Sequence, residues 1–533
     1  MKRRNILKGL GLLPMAGVLA PIKSALGAPA ADYAAEPNIF QSIGVEPIIN
    51  CRGTFTIIGG SIERPEVRAA MEAASKNFIQ YDEMADAIHK RLAEITGAEW
   101  ALVSAGCAAG LKHVTAACVT GGNPEKLIRI PDLTGFEKNE VIIPSSSRNV
   151  YDHAIRNVGV RVITVDTLAE MENAINSHTA MIYLMAFDEA QTGNEFTLAN
   201  VSKISRPKNV PILIDAAAEV LTIPNVHLQR GADIVAYSGG KAICGPQCAG
   251  LVIGKKDILM SAWQASSPHH GPGRDNKVGR EEMMGMLAAV EAWTKRDHAA
   301  EWKTWLGYLN TISKKLQTIP GVSTSVFEPT ELSNRSPVLN VSWDPAKFNI
   351  NGIEMTEVLG RTKPRIAVGS DDKEGKATID ITTGQMQPGN DQVVANRIHE
   401  VLLQKRPPKP AMQNAGFNLT GRWDLTVQFF SSTSKHSLFI DQEGNWMQGV
   451  HQGDFSSREL KGSVEGDIVK MKSIDRHTAD YIPFIFSGKA TADTMSGEIH
   501  LGEYRTAKFS AVRVNKKPSR EQIIVPGGPP LAT

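Results

Sequence analysis

The chain has 533 residues, with 58 Lys and Arg against 56 Asp and Glu and a formal net charge of +2. Near-neutral charge, with no Lys/Arg run beyond the opening residues, argues against a nucleic-acid-binding surface. Five cysteines (Cys51, Cys107, Cys118, Cys244, Cys248) are few, odd in number and spaced like no zinc or disulfide framework, so they read mostly as packing thiols and no metal is expected.

A basic stretch from Met1 to Lys8 is followed by an apolar, glycine-containing run over 9–20 and by small residues over 24–30. That order reads as an export signal covering residues 1–30, with an apolar run too short for a stable membrane span. Arg3-Arg4-x-Ile6-Leu7-Lys8 resembles the twin-arginine signal, with Ile6 where Phe is common and Lys2 where Ser or Thr is common. Twin-arginine export carries folded proteins, so the expected location is periplasmic or secreted, in a bacterium.

From 39 to 256, short apolar runs alternate with amphipathic stretches. Strands are expected at 100–104, 140–144, 161–165, 180–185, 210–215, 234–237 and 250–254, with helical segments such as 63–77, 84–96, 167–177 and 198–205 between them. This pattern predicts an α/β domain over 36–265: a mostly parallel sheet with helices on both faces and ligands at the carboxyl ends of the strands. A long amphipathic helix over 281–316 leads into a small αβ domain, the whole spanning 266–404. A proline-rich linker, 405–416, precedes an all-β unit over 417–514, a small barrel or sandwich. Its opening Gly421-Arg-Trp423 resembles the start of a lipocalin-like barrel, and the tail 515–533 is expected to be loose.

Asp215 ends one buried run, and Lys241 follows another in the glycine turn Ser238-Gly-Gly-Lys241. A lysine at one strand end and a carboxylate at its neighbour are what pyridoxal phosphate chemistry needs. The amine forms a Schiff base with the cofactor's aldehyde, and the carboxylate keeps the ring nitrogen protonated. The plain alternative is a solvated lysine in a turn. A phosphate-binding P-loop fits worse, because Val235 stands at the first glycine position and Ala242 at that of Ser/Thr. The loop Ser104-Ala-Gly106-Cys107-Ala108-Ala109-Gly110 suits a phosphate at a helix N-terminus, although small residues there can equally serve close packing. Ser238 is placed to offer the same phosphate a hydroxyl. Tyr151 and His153 are placed to stack on a flat ring, or are ordinary first-turn helix residues.

Asp215-Ala-Ala, Ser238-Gly-Gly-Lys241 and Gly245-Pro-Gln-x-Ala-Gly250 resemble fold-type-I pyridoxal-phosphate enzymes, in particular the family of bacterial selenocysteine synthase and glucosaminate-6-phosphate ammonia-lyase. The resemblance covers roughly 39–404 and takes in Asn50-Cys-Arg-Gly-Thr54 and Lys277-Val-Gly-Arg-Glu-Glu282; Cys248 and Arg280 depart from it. It implies a fold-type-I transferase fold, the cofactor attached at Lys241, Asp215 facing the ring nitrogen, and phosphate held by Gly106, Cys107, Ala108 and Ala109. A substrate carboxylate then needs a cation, for which Arg365, Arg274 and Arg52 are the candidates. His269-His270 is too sparse for a metal site and sits in a loop suited to a lid.

The expected activity is therefore that of a lyase of the ammonia-lyase type acting on an amino acid or amino-sugar acid. It proceeds by Schiff-base formation, Cα deprotonation by Lys241 and elimination, in a homodimer or higher homo-oligomer. Selenium transfer to a charged tRNA shares the early steps, but export and the lack of a basic docking surface count against it. An aminotransferase, a racemase or a non-catalytic binding protein on a degenerate fold are the alternatives.

Overall fold

The computed structural model describes residues 38–186, 193–373, 375–474, 482–514, 522–524 and 527–529. The chain divides into two units, Met1–Pro47 and Ile48–Thr533. The described part of the first holds one 3-10 turn, Gln41–Ile43, and the expected export signal lies outside the described residues.

In the second unit a short strand, β1 (Ile48–Asn50), precedes seven that build the central sheet: β2 (Trp100–Ser104), β3 (Glu140–Pro144), β4 (Arg161–Val165), β5 (Thr179–Met185), β6 (Ile212–Asp215), β7 (Ile234–Ser238) and β8 (Gly250–Gly254). Their order is β2-β8-β7-β6-β5-β3-β4, parallel except for β8, which runs antiparallel to both its neighbours. Every residue of β3, β6 and β8 is buried, as expected for strands covered on both faces. Reversal of β8 has a local consequence. Its first residue, Gly250, lies opposite both Ser104 at the end of β2 and Ser238 at the end of β7.

The smaller αβ part is a four-stranded antiparallel sheet of β9 (Val322–Phe327), β10 (Val338–Trp343), β12 (Gly369–Ser370) and β13 (Ala377–Thr382), preceded in the last pair by β11 (Arg365–Ala367). Leu309, Ile312 and Leu316 of one helix and Val394 and Ile398 of another fill its core. The N-terminal boundary differs from the sequence expectation of one large domain starting at 36. β1 pairs in parallel with β11, and Cys51 is buried in the small-domain core with its carbonyl accepting from Thr382 N at 2.9 Å. β1 and β11 form a two-stranded sheet of their own, so this segment belongs with the small αβ part rather than with the central sheet.

The single helix expected over 281–316 is two, Arg280–Lys295 and His298–Leu316. The break comes from Asp297, whose carboxylate accepts from Ala300 N at 2.9 Å and so starts a new helix with a side-chain cap.

Beyond the linker, eight antiparallel strands from β14 (Gly421–Gln428) through β15 (Thr433–Glu443), β16 (Trp446–Gln452), β17 (Ser457–Glu465), β18 (Ile468–Ile474), β19 (Phe484–Ala490) and β20 (Thr494–His500) to β21 (Thr506–Arg513) form a closed barrel. β14 pairs with β21, so no sheet edge is left open. Trp423 is fully buried in it and donates from Nε1 to Leu419 O at 2.9 Å. Among the described residues, no helix is long and apolar enough to cross a membrane.

Candidate active site

The carboxyl ends of β2, β6 and β7 lie along one edge of the central sheet, and they bring Gly106, Asp215 and Lys241 to the same side. Asp215 closes β6 with only 2% of its surface exposed. Its Oδ1 accepts from Ala217 N at 3.0 Å and from the Cys107 thiol at 3.6 Å, and its Oδ2 accepts from the Tyr183 hydroxyl at 2.9 Å. Asn149 Nδ2, which can only donate, reaches the same Tyr183 oxygen at 3.1 Å. The single phenolic proton is thereby directed at Asp215; the Met185 sulfur, also 3.1 Å away, is a far weaker acceptor.

Burial raises the Asp215 carboxyl above its ordinary range, while the Ala217 amide, Tyr183, the Lys241 charge and Cys107 pull it back. Burial and the neighbouring Asp215 hold both the Cys107 thiol and the Tyr183 phenol well above their usual values. Both therefore stay protonated and act as donors to the carboxylate. Cys107 is thus neither a nucleophile nor merely packing: its backbone belongs to the loop, and its side chain turns to Asp215.

The loop after β2 enters the helix Gly106–Thr120, whose N-cap, Ala105, offers no side-chain hydrogen bond to the first turn. Gly106 adopts φ +81°, which suits glycine, and an added Cβ there would meet open space. Gly250 closes the other side: a Cβ on it would lie 2.5 Å from the Gly106 carbonyl carbon and 2.7 Å from Cys107 N. A helix N-terminus without a side-chain cap, Ser238 across one strand, and a buried carboxylate with a lysine nearby fit a ligand that carries a phosphate and a basic ring nitrogen.

Lys241 occupies a half-buried turn after β7, held by Cys244 N donating to its carbonyl at 3.0 Å. A cavity of about 770 Å³ opens beside the pair. Lys241 and Asp215 do not themselves line it; Ala242, next to the lysine, and Ala218, three residues past the aspartate, do. Its far wall carries Thr382 and Gln385 of the small αβ part, and Trp293, Trp302 and Trp305 give it aromatic sides.

The arginine candidates separate here. Arg52 lines the cavity, its guanidinium 5.0 Å over the Phe55 ring. Arg365 does not: its Nε donates to Gly360 O at 2.7 Å and ties β11 to the preceding helix. Arg274 is exposed in the 266–279 loop, reaching Ser267 Oγ at 3.5 Å. Sequence reasoning missed Arg335, which lines the cavity 5.8 Å over Trp302, and Arg296, which grips Glu301 at 2.8–3.1 Å and the Ala242 carbonyl at 3.0 Å. Tyr151 and His153 are exposed. Asn149, two residues earlier, is the member of that stretch that reaches the Asp215 group, because its side chain caps Tyr151 N and turns inward. Arg280 serves structure, its guanidinium bonding the Ala74 and Ser75 carbonyls at 3.0 and 3.1 Å. His269 likewise bonds Trp263 and Ser266 carbonyls, and no group of three metal-ligating side chains occurs among the described residues.

Residues 149–344, which include Asp215 and Lys241, match the family described as Aminotransferase class-V. The chain is 29% identical over 296 residues to a D-glucosaminate-6-phosphate ammonia lyase of Salmonella typhimurium, covering 54% of this chain and 77% of that protein. It is 27% identical over 391 residues to a 5'-C-glycyluridine monooxygenase-decarboxylase of a Streptomyces species, covering 70% and 95%. Among solved structures, one of D-glucosaminate-6-phosphate ammonia-lyase superposes with a TM-score of 0.61 at 24% identity, over 69% of this chain and 99% of that one. The fold is thus that of the fold-type-I transferases, with the closed barrel added at its C-terminus.

Proposed function

We propose that this chain, which carries an Aminotransferase class-V domain and uses pyridoxal phosphate as its cofactor, removes ammonia from an amino acid or amino-sugar acid. A buried carboxylate, Asp215, beside an amine at the next strand end, Lys241, carries the reading. The similarity to a protein named as an ammonia lyase favours elimination over other chemistry.

Bound pyridoxal phosphate supplies an aldehyde that condenses with amines and a protonated ring that withdraws electrons. The residues around it divide the rest of the work. The first turn after Gly106, with Ser238, would hold the phosphate. Asp215 would keep a proton on the ring nitrogen, and Tyr183, Cys107 and Ala217 N fix both of its oxygens. Lys241 would be the point of attachment for the cofactor's aldehyde; its amine, once displaced by substrate, would take the proton from the substrate's Cα and pass one to the β-substituent that leaves, and hydrolysis of the released enamine would give ammonia and the keto acid. Arg52, on the wall of the neighbouring cavity with Trp293, Trp302 and Trp305, would receive the α-carboxylate. Arg3 and Arg4 act as an export signal, and the working form is a homo-oligomer.

The test is a screen of amino and amino-sugar acids with the purified holoenzyme, following ammonia and keto acid together. Stoichiometric release of both supports the assignment. Keto acid formed only with an added keto-acid acceptor, and without ammonia, would make the enzyme an aminotransferase instead.

A further inference from the structure

The barrel is packed inside, with Trp423, Phe486 and Phe509 among its buried core, so its outer wall is the face left for recognition. On that wall, β15 to β19 form a groove of about 690 Å³. Cross-strand register polarises it. Asp441 and Glu443 stand on β15; Glu443 is opposite Trp446 on β16; Lys461 on β17 is directly opposite Lys472 on β18, with Lys470 two pairs along, opposite Ser463.

Two features of this arrangement cost stability unless something occupies it. Trp446 is 66% exposed, so a large apolar ring faces water. Like charges directly opposite across a strand pair are destabilising, as Lys461 and Lys472 are. Lys461 has Glu459 at 2.9 Å and Lys489, nearby on β19, has Asp467 at 3.0 Å, but neither Lys470 nor Lys472 has an acidic partner among the described residues. Gly462 sets the floor: a Cβ there would lie 2.4 Å from the Lys470 carbonyl, so only glycine lets β17 and β18 close at that point.

We propose that this groove binds an acidic sugar. The Trp446 ring stacks on the apolar face of a pyranose, Lys470 and Lys472 take its acidic group, and Asp441 and Glu443, which can only accept, take its hydroxyl protons. A single-stranded nucleic acid also suits an aromatic ring with lysines, but it has few hydroxyls to donate to Asp441 and Glu443, whereas a sugar acid can place its one acidic group at Lys470 and Lys472 and turn its hydroxyls to the carboxylates. This site is independent of the chemistry at Lys241.

The test is calorimetric titration of the full-length protein at low salt with trigalacturonate, galacturonate, an uncharged trisaccharide and an oligothymidylate. Trigalacturonate or galacturonate is expected to bind, the affinity falling at least tenfold in Trp446→Ala and in Lys470→Ala/Lys472→Ala and weakening with added salt. The uncharged trisaccharide should bind at least tenfold more weakly. Tighter binding of the trimer assigns the groove to a polymer end, and equal binding to the free sugar. Both variants lie on the surface, and an unchanged thermal midpoint shows that they fold. Absence of acidic-sugar binding at millimolar concentration, binding indifferent to Trp446→Ala, or equal binding of the oligothymidylate would overturn the assignment.

Discussion

The Tyr183 hydroxyl donates to Asp215 Oδ2 at 2.9 Å, with Asn149 holding the phenol oxygen from the other side at 3.1 Å. Hydrogen bonds to a charged group contribute about 1.5–3 kcal/mol. Tyr183→Phe keeps the ring packing and removes that bond, so the Asp215 carboxyl rises further and its hold on the ring nitrogen weakens. Turnover should fall roughly ten- to hundredfold. The visible spectrum of the bound cofactor should also change its dependence on pH. Unchanged kcat and an unchanged spectrum would make Tyr183 a packing residue only.

Arg52 and Arg365 should part company in kinetics. Arg52→Ala, on the cavity wall, is expected to raise KM by about tenfold or more while leaving the thermal midpoint in place. Arg365→Ala removes a hydrogen bond to Gly360 O and should cost about 1 kcal/mol of stability with KM unchanged. Steady-state kinetics and a melting curve of each variant check both halves, and the reverse pattern would return the carboxylate to Arg365.

The central sheet was legible because its strands are short apolar runs, and β3, β6 and β8 are buried along their whole length. The glycine turn at Lys241 and the strand-end Asp215 were legible for the same reason: each punctuates such a run. Tyr183 was not. Inside β5 it reads as one more core aromatic, and only the register of β5 against β6 places its hydroxyl beside Asp215. Arg335 and Arg296 were invisible because the cavity draws them from segments far apart in sequence. The Arg365 hydrogen bond to the Gly360 carbonyl, five residues earlier, was likewise not legible, because it depends on how the preceding helix folds back on β11.

Inside the barrel, His451 links Ser473 Oγ at 2.7 Å to His436 at 2.9 Å, and His436 faces Asp454 at 3.5 Å. Burial, then the neighbouring His436 and Arg458, push His451 down to about 3 from an ordinary 6.5. The folded state therefore refuses a proton that the unfolded chain accepts. The stability this represents is present above about pH 6.5 and is lost as pH falls toward 3. Calorimetric melting of the full chain should show the barrel's midpoint dropping across that window. His451→Phe should flatten the drop, and an equally steep drop in the variant would contradict the buried neutral imidazole.

Replacing Arg3 and Arg4 by Lys keeps the charge and removes the pair that a twin-arginine receptor reads. Fractionation should then find the protein retained in the cytoplasm. Continued export of the variant in cells lacking that translocase would assign the protein to the general secretory route.

The account rests most directly on Lys241 as the point of cofactor attachment. Borohydride reduction of the purified protein, proteolysis and mass spectrometry read that attachment independently of any substrate. The predicted result is loss of the visible absorbance and a reduced phosphopyridoxyl adduct on the peptide carrying Lys241, absent from Lys241→Ala. An adduct on another lysine, or none on a protein that remains folded, would contradict it.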